Sequence, residues 1–426
     1  MKVLLLGSGG REHALCWKIR QSRKLTKLFI APGNGGSADQ GEVLDLSVSD
    51  FEGIASAIEK HSIDMLVVGP EDPLVNGIYD FLKTEKAFKD LMIIGPSAAG
   101  AVLEGSKSYA KDFMNKYGIP TAGSATFTGN ELSEAKAFLQ TLQAPYVLKA
   151  DGLAAGKGVL ILNDLKEAEK ELEEMFSGKF GDASSKVVIE DFLDGIEMSV
   201  FALTDGKDYL ILPEAKDYKR IGEGDMGLNT GGMGAVSPVP FADKAFMEKV
   251  EKQIVAPTIS GIQSEGFDYT GFVFFGLMNV NGDPYVIEYN VRMGDPETQA
   301  VIPRIKSDLL DLFIKAASGE LNQGKLEIED STSLTLVLAS GGYPGSYEKG
   351  ENIRGVRELR EGLIFHAGTK LEDDELLTNG GRVLAITSFG RGIAQAREKV
   401  YTWVQSIRFD SMYYRKDIGL DILEED

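Results

Sequence analysis

The sequence predicts a multidomain protein of the α/β and α+β classes. An open parallel sheet comes first, then a central domain bearing a small lid, then a small α+β domain. Three patterns carry that expectation. Over about the first hundred residues, short apolar runs alternate with helical stretches; a charged α/β segment follows at about 120–190; from Ser331 onward strands dominate, with one late helix. A chain of 426 residues with 43% hydrophobic content can build about two to four full cores. The expected boundaries are 1–103, 104–325 with the lid at about 120–190, and 326–426.

The first strands are read at Val3–Leu6, Leu28–Ile30, Met65–Val68 and Met92–Ile94, with helices at Phe51–His61 and Ile78–Phe88 between them. Such alternation predicts a parallel sheet. Each run leads into loop residues, namely Gly7–Gly10, Ala31–Gly36, Gly69–Pro73 and Gly95-Pro96. Open parallel sheets bind ligands at the carboxyl ends of their strands, so these loops form a candidate half-site. A helix over Glu104–Tyr117 is expected to link two domains. The lid is read as strand Tyr146–Lys149, a glycine loop, strand Val159–Leu162, a charged helix Leu165–Phe176 and strand Lys186–Glu190. Residues from about 191 to 325 read as a larger mixed sheet with strands Glu197–Leu203, Phe272–Val280 and Pro284–Asn290. Asn279-Val-Asn-Gly-Asp283 is a hairpin signal. The last domain holds strands Ser333–Ala339, Leu363–Ala367 and Arg382–Ser388, and a helix Ile393–Ile407.

Composition excludes several classes. The 65 acidic residues outnumber the 45 basic ones, for a net charge of −20. That argues against nonspecific nucleic-acid or anionic-membrane binding, though not against a locally basic site. No apolar run approaches membrane-spanning length, and Met1–Leu6 is too short for a signal-peptide core, so a soluble, cytoplasmic protein is expected. Cys16 is the only cysteine and excludes an intrachain disulfide; its flank reads as a core-facing helix and Cys16 as a packing thiol. His13, His61 and His366 are far apart in sequence, which argues against a histidine metal cluster.

The richest stretch is Lys149-Ala-Asp-Gly-Leu-Ala-Ala-Gly-Lys-Gly-Val159. Its glycines let backbone N–H groups approach phosphate oxygens, and its lysines neutralise charge. It is not a Walker A loop, because Gly152 and Gly156 are separated by three residues and Gly158 follows Lys157. In Val286-Ile-Glu-Tyr-Asn-Val-Arg292, alternation on a strand turns Glu288, Asn290 and Arg292 to one face. Two oxygen donors and a guanidinium there suit Mg²⁺ and nucleotide phosphates. Asn229-Thr-Gly-Gly-Met-Gly-Ala235 reads as a loop allowing close backbone approach to a substrate. Asp295 and Glu297, flanking Pro296, are helix-start acids and candidate substrate contacts. Lys216-Asp-Tyr-Lys-Arg220 is a basic cluster, either a solvated face or a phosphate attractor. Gly7-x-Gly9-Gly10 invites an NAD reading, but Ala31-Pro-Gly stands where the acidic ribose ligand belongs, so a phosphate or small-anion loop fits better.

A glycine-lysine loop followed by Glu-x-Asn-x-Arg resembles the ATP-grasp carboxylate ligases. The wider set resembles the phosphoribosylamine–glycine ligase family: Gly7–Ala14, Ala31–Asn34, Val68–Glu71, Leu103–Lys107, Lys149–Val159, Asn229–Ala235, Gly294–Gln299, Phe365–Thr369, Asn379–Arg382 and Arg415–Gly419, all in family order. The length resembles the monofunctional form. The resemblance implies a central ATP-grasp domain. It also implies ATP-dependent joining of glycine to 5-phosphoribosylamine through a glycyl phosphate, the second step of de novo purine biosynthesis. By the same resemblance, ATP contacts Lys107, Lys149, Gly156, Lys157, Glu190, Phe192, Leu193 and Glu197, and Glu288 and Asn290 hold Mg²⁺ or Mn²⁺. Arg292, Lys149 and Asp295 are the implied catalytic set. Substrate contacts fall on Gly9, Gly10, Asn34, Pro70, Glu71, Asp217, Lys219, Gly231, Gly232, Asp295 and Glu297, and a monomer is expected. Two departures stand out: Met293 replaces a common Phe, and Tyr218 replaces a common His beside Asp217. The alternatives are another ATP-grasp ligase, such as a bicarbonate-using carboxylase, and a nucleotide sensor on an enzyme-derived scaffold. The intact Glu288, Asn290 and Arg292 speak against the sensor.

Overall fold

The computed structural model describes residues 1–153, 158–359 and 361–423. Strands β1 (Lys2–Gly7), β2 (Lys27–Pro32), β3 (Glu42–Val43), β4 (Met65–Val68) and β5 (Met92–Ile94) form a parallel sheet in the order β3-β2-β1-β4-β5. Both faces are covered. Leu4, Leu6, Phe29, Leu66 and Val68 enter one core, and Val3, Leu5, Leu28, Ile30 and Val67 enter another. That double burial is why these strands read as continuous apolar runs. Strand order reverses between β1 and β4, which opens a crevice between their following loops. The helix expected over Glu104–Tyr117 is two helices, Ala98–Gly105 and Lys107–Lys116. Ser106 between them is extended, and its hydroxyl caps the second helix by accepting from the Tyr109 N–H at 3.1 Å.

The lid sheet comprises β6 (Ser124–Thr128), β7 (Tyr146–Ala150), β8 (Val159–Leu162) and β9 (Lys186–Glu190), antiparallel in the order β6-β9-β7-β8. With helices Leu132–Leu139 and Leu165–Phe176 it builds a separate core around Leu148, Ile189, Leu172 and Met175.

The chain continues through β10 (Ile196–Thr204), β11 (Tyr209–Ile211), β12 (Lys216–Asp217), β13 (Arg220–Gly222), β14 (Met226–Asn229), β15 (Gly234–Ser237), β16 (Gly271–Val280) and β17 (Asp283–Asn290). The large sheet, β11-β10-β16-β17, is antiparallel throughout, not mixed as the sequence suggests. Its β16–β17 hairpin turns at Asn281 and Gly282, both at positive φ. Asn229–Ala235 is not wholly loop, because Asn229 ends β14 and Gly234-Ala235 open β15. β15 pairs with β12 and with a later strand, in the order β12-β15-β18-β22-β19, where β18 is Thr332–Ala339, β19 Leu363–His366 and β22 Arg382–Gly390; β20 (Thr369–Glu372) and β21 (Glu375–Thr378) pair with each other. β13 and β14 form a two-stranded arm. Among the described residues no helix is long and apolar enough to cross a membrane.

One irregularity sets the orientation of the functional side chains. Gly276 pairs with Glu288 but Leu277 pairs with Val286, so Ile287 is an extra, bulged residue. The bulge shifts the alternation by one. Val286, Tyr289 and Val291 therefore all reach the core, while Glu288, Asn290 and Arg292 are only part-buried on the other face. That face is apolar at Phe201, Leu203, Phe272 and Phe274 and becomes polar at Glu197, Ser199 and Glu288.

Candidate active site

The polar end of the large sheet faces a cleft beneath the lid. A Cβ on Gly276 would sit 2.8 Å from the Glu288 Cγ, so the glycine makes room for that carboxylate. Burial alone would raise the Glu288 pKa, yet Lys219, Lys149, Lys107 and Arg292 together bring it below the ordinary range. Glu288 is therefore an ionised, part-buried carboxylate ringed by cations. Asn290 Oδ1 accepts from Arg292 Nη2 at 3.2 Å. Among the described residues no group of three or more His, Cys, Asp or Glu converges as a metal cage. Mg²⁺ needs none, since one or two protein oxygens plus substrate phosphates commonly hold it. The Glu288–Asn290 donor set fits a metal carried in by a nucleotide.

The lysines come from three elements. Lys107 Nζ donates to Gly152 O at 2.9 Å, tying the helix start to the glycine loop. Lys149 Nζ meets Glu190 Oε2 at 2.9 Å and Ile287 O at 3.0 Å. Lys111, which the sequence reading passes over, also meets Glu190, at 3.2 Å, and burial lowers its pKa to about 8 despite that carboxylate. Phe192 is exposed and Leu193 part-buried just beyond, at the strand-to-linker exit. Glu197 is ion-paired to Lys219, whose ammonium also lies 3.7 Å from Glu288. Gly156 and Lys157 lie outside the described residues.

The N-terminal loops meet the cleft at the β1–β4 crevice. Gly9 N–H donates to Glu12 Oε2 at 2.7 Å, and Gly10 packs so closely on Gln299 that a Cβ there would lie 2.3 Å from its amide. The Glu71 carboxylate, beside Pro70, lies 3.1 Å from Arg292 Nε and 3.8 Å from Arg11 Nη2. Burial would raise its pKa, but Arg292 and Arg11 hold it down to about 2. Glu104 has the opposite balance. It grips Arg292 at 2.7 Å and the Val291 N–H at 2.8 Å, yet burial outweighs them and pushes it up to about 7. Asn34 spends its amide on Ser8 O (2.9 Å) and His366 O (2.8 Å), bridging the first and last domains.

On the far side sit the acids. Asp217 ends β12, and Lys219, two residues on, is close enough for its charge to act on it. Burial pushes the Asp217 carboxyl up to about 8; Lys219 opposes this, while Glu297 and Glu197 reinforce it. Glu297 Oε1 accepts from Ser199 at 3.2 Å and is also raised by burial. Asp295 takes Gln299 Nε2 at 2.8 Å and the Arg11 N–H at 3.4 Å, with Arg382 at 3.4 Å; these partners hold it below its usual range although burial alone would raise it. The loop carrying Gly231 and Gly232 is fixed by Arg382 and by Tyr343, whose hydroxyl accepts the Gly231 N–H at 2.9 Å. Gly232, at φ +113, packs on Pro296, where a Cβ would lie 2.4 Å from the ring.

The structure corrects one expectation and shows where Tyr218 and two of the histidines stand. Lys216–Arg220 is not one basic patch, because its lysines have different partners: Lys216 pairs with Asp421 at 3.0 Å and Lys219 with Glu197. Tyr218 is not beside Asp217 in the cleft. It turns into the last core, donates to Asp421 at 2.6 Å and accepts the Gly419 N–H at 3.0 Å. His13 and His366 are neighbours, with ring centroids 5.3 Å apart and the His366 N–H donating to His13 Nδ1 at 3.2 Å. The fold brings them together at the junction of first and last domains. Arg11, Glu12, Glu104, Lys111 and Arg382 are the site residues that sequence reasoning misses. All but Lys111 stand inside motif segments, next to more conspicuous residue types, and that adjacency is the available signal.

Two sheets gripping a cleft between them place this chain among the ATP-grasp enzymes. Residues 105–298 match the ATP-grasp (A) domain of phosphoribosylglycinamide synthetase, and residues 1–104 and 333–421 match its N and C domains. The chain belongs to the phosphoribosylamine–glycine ligase family. A phosphoribosylamine–glycine ligase of Rhizobium meliloti is 47% identical over 98% of both chains, and that of Escherichia coli K12 is 44% identical over the full length of both. The crystal structure of the Thermotoga maritima ligase superposes with a TM-score of 0.86 at 37% identity, covering 98% of this chain and 100% of that one. A Campylobacter jejuni biotin carboxylase shares the fold at 16% identity, with a TM-score of 0.72 over 96% and 92% of the two chains.

Proposed function

We propose that this protein uses ATP to join glycine to 5-phosphoribosylamine, giving glycinamide ribonucleotide, ADP and phosphate through a glycyl phosphate. One observation carries the reading. A cation-ringed carboxylate, Glu288, and a buried acid pair, Asp217 and Glu297, lie in one cleft and are bridged by Lys219, which both acids feel. The first end suits a γ-phosphate and a carboxylate, the second an ammonium group. Glycine carries a carboxylate and an ammonium two bonds apart.

Glycine's carboxylate is a poor electrophile, so it must be activated. One of its oxygens attacks the γ-phosphorus, the bond to the ADP oxygen breaks, and that electron pair leaves with ADP. The ribosylamine nitrogen then attacks the acyl carbon, loses a proton, and phosphate departs with the former carboxylate oxygen. Positioning and charge neutralisation are the main demands of such transfers. Lys107, Lys149 and Arg292 supply positive charge, with Lys157 assigned beside them. Glu190, Phe192, Leu193 and Glu197 border the nucleoside, and Gly156 is assigned to the phosphates. Glu288 and Asn290 would hold Mg²⁺ or Mn²⁺, which supplies charge neutralisation on the phosphates when bound. Asp217 and Glu297 receive the glycine ammonium. Asp295, with Gly9, Gly10, Asn34, Pro70, Glu71, Gly231 and Gly232, borders the ribosylamine and its phosphate. The working unit in this reading is a monomer.

The test is phosphate release from ATP and Mg²⁺ with each substrate omitted in turn. Release should require glycine and freshly generated 5-phosphoribosylamine, apart from slow leakage of the acyl phosphate in water. Equal release with glycine absent would refute the reading and would favour a bicarbonate-using relative.

A further inference from the structure

The motif Arg415-Lys-Asp-Ile-Gly419 has no place in the glycyl phosphate mechanism, yet Arg415 is 1% exposed and has the largest of the fully buried side chains. Its guanidinium contacts are all with one neighbouring segment or its own loop. Nη1 donates to Asp225 Oδ1 at 2.7 Å and to the backbone oxygen of Arg220 at 3.1 Å. Nε and Nη2 donate to Asp417 at 2.8 and 2.6 Å. The guanidinium lies 5.2 Å from the Tyr218 ring centroid. Asp417 Oδ2 in turn accepts the Gly224 N–H at 2.8 Å, and the Tyr413 hydroxyl donates to Ile221 O at 2.7 Å. On the same side, Lys216 sits 4.0 Å over the Tyr218 ring, and Asp421 takes both Lys216 and the Tyr218 hydroxyl.

The C-terminal segment therefore grips residues 216–225 from behind, through side chains that reach backbone groups at Arg220, Ile221 and Gly224. Asp217, at the end of β12, and Lys219, two residues on, have their partners on the opposite side, at Glu197, Glu288 and Glu297. A planar guanidinium can serve two carboxylates, a carbonyl and an aromatic face at once, which an ammonium cannot.

We propose that Arg415 and Asp417 are positioning residues that clamp this segment and so fix where Asp217 and Lys219 stand in the pocket for the amine substrate. The inference rests on the reading that Asp217 faces the glycine ammonium. The clamp touches neither the lid nor the glycine loop and reaches the nucleotide side only through the pairing of Lys219 with Glu197 and Glu288, so its loss should be felt more by glycine than by nucleotide.

The experiment compares Arg415→Ala, Arg415→Lys, Tyr218→Phe and Asp217→Asn. For each it measures KM for glycine, KM for ATP, direct ADP affinity and the thermal midpoint. Misplacement by about 1 Å can cost about a hundredfold, so the Arg415 variants should raise the glycine KM by about tenfold or more with a clearly smaller change in ADP affinity. Tyr218→Phe, which loses two hydrogen bonds but keeps the ring, should give a smaller rise in the same parameter. It carries the test if Arg415→Ala does not fold. A lowered midpoint with an unchanged glycine KM would overturn the clamp, as would equal weakening of glycine and ADP. Asp217→Asn separates the layers. If it leaves the glycine KM unchanged, the substrate reading falls and the clamp with it. If it raises that KM and the Arg415 and Tyr218 variants do not, only the clamp is refuted.

Discussion

At the scale of the residue, the proposed activity turns on Glu288, a carboxylate placed by a missing side chain at Gly276 and a bulge at Ile287. Glu288→Ala should keep the fold and lose about a hundredfold or more of turnover, the usual consequence of deleting an electrostatic contact to a transition state. Asn290→Ala should fall less, since it removes a neutral donor. Gly276→Ala is a sharper check, because its Cβ would meet Glu288 Cγ at 2.8 Å, which is no flexible chain end. It should cut turnover while circular dichroism stays native; full activity would show that Glu288 needs no such space. Asp217 gives a pH prediction. With its carboxyl pushed up to about 8, the group is protonated at lower pH and must lose that proton to receive an ammonium. The glycine KM should therefore rise as pH falls below about 8, and Asp217→Asn should be weaker throughout and lose that dependence. A flat profile in the parent protein would place the ammonium elsewhere.

At the scale of the element, the lid is a sheet with its own core, which supports motion as a unit. Amide exchange across residues 120–190, most of all from Lys149 to Val159, should slow when nucleotide is added. Equal protection with and without nucleotide would count against closure. Much of this level was legible in the sequence. The helices Phe51–His61 and Leu165–Phe176 were readable because apolar periodicity and an Asp cap agree at each. The Glu288, Asn290, Arg292 face was readable because alternation holds from Glu288 onward. The bulge at Ile287 was not, since an extra residue leaves no mark on composition and shows only against its partner strand. The Ser106 break was hidden inside a stretch that is helical on both sides. β12 and β15 escape the reading for a different reason: they are two and four residues long, β12 pairs with β15, and β15 pairs with β18 far along the chain. Of the site, the residue types proposed to touch substrate are recoverable, whereas Glu104, Lys111 and Arg382 act on other protein groups, and no local pattern announces a long-range partner.

At the scale of the whole molecule, first and last domains meet through His13, Asn34 and His366. Burial lowers the two histidines to about 4 and about 3. A histidine near 6.5 in the unfolded chain and well below that in the fold leaves the unfolded state binding more protons between those values. The stability they contribute is thus fully present above about 6.5 and is lost as pH falls toward 4. Thermal midpoints should drop over that window, and His366→Asn should flatten the drop; an unchanged slope would assign acid sensitivity to other groups. The central claim, however, is chemical: two substrates, one cleft, and a carboxylate activated by phosphoryl transfer. Glycine labelled with ¹⁸O in its carboxylate tests it most directly. Activation through an acyl phosphate predicts one labelled oxygen in each inorganic phosphate released during product formation. Product formed alongside unlabelled phosphate, or label appearing in AMP with pyrophosphate released, would contradict it.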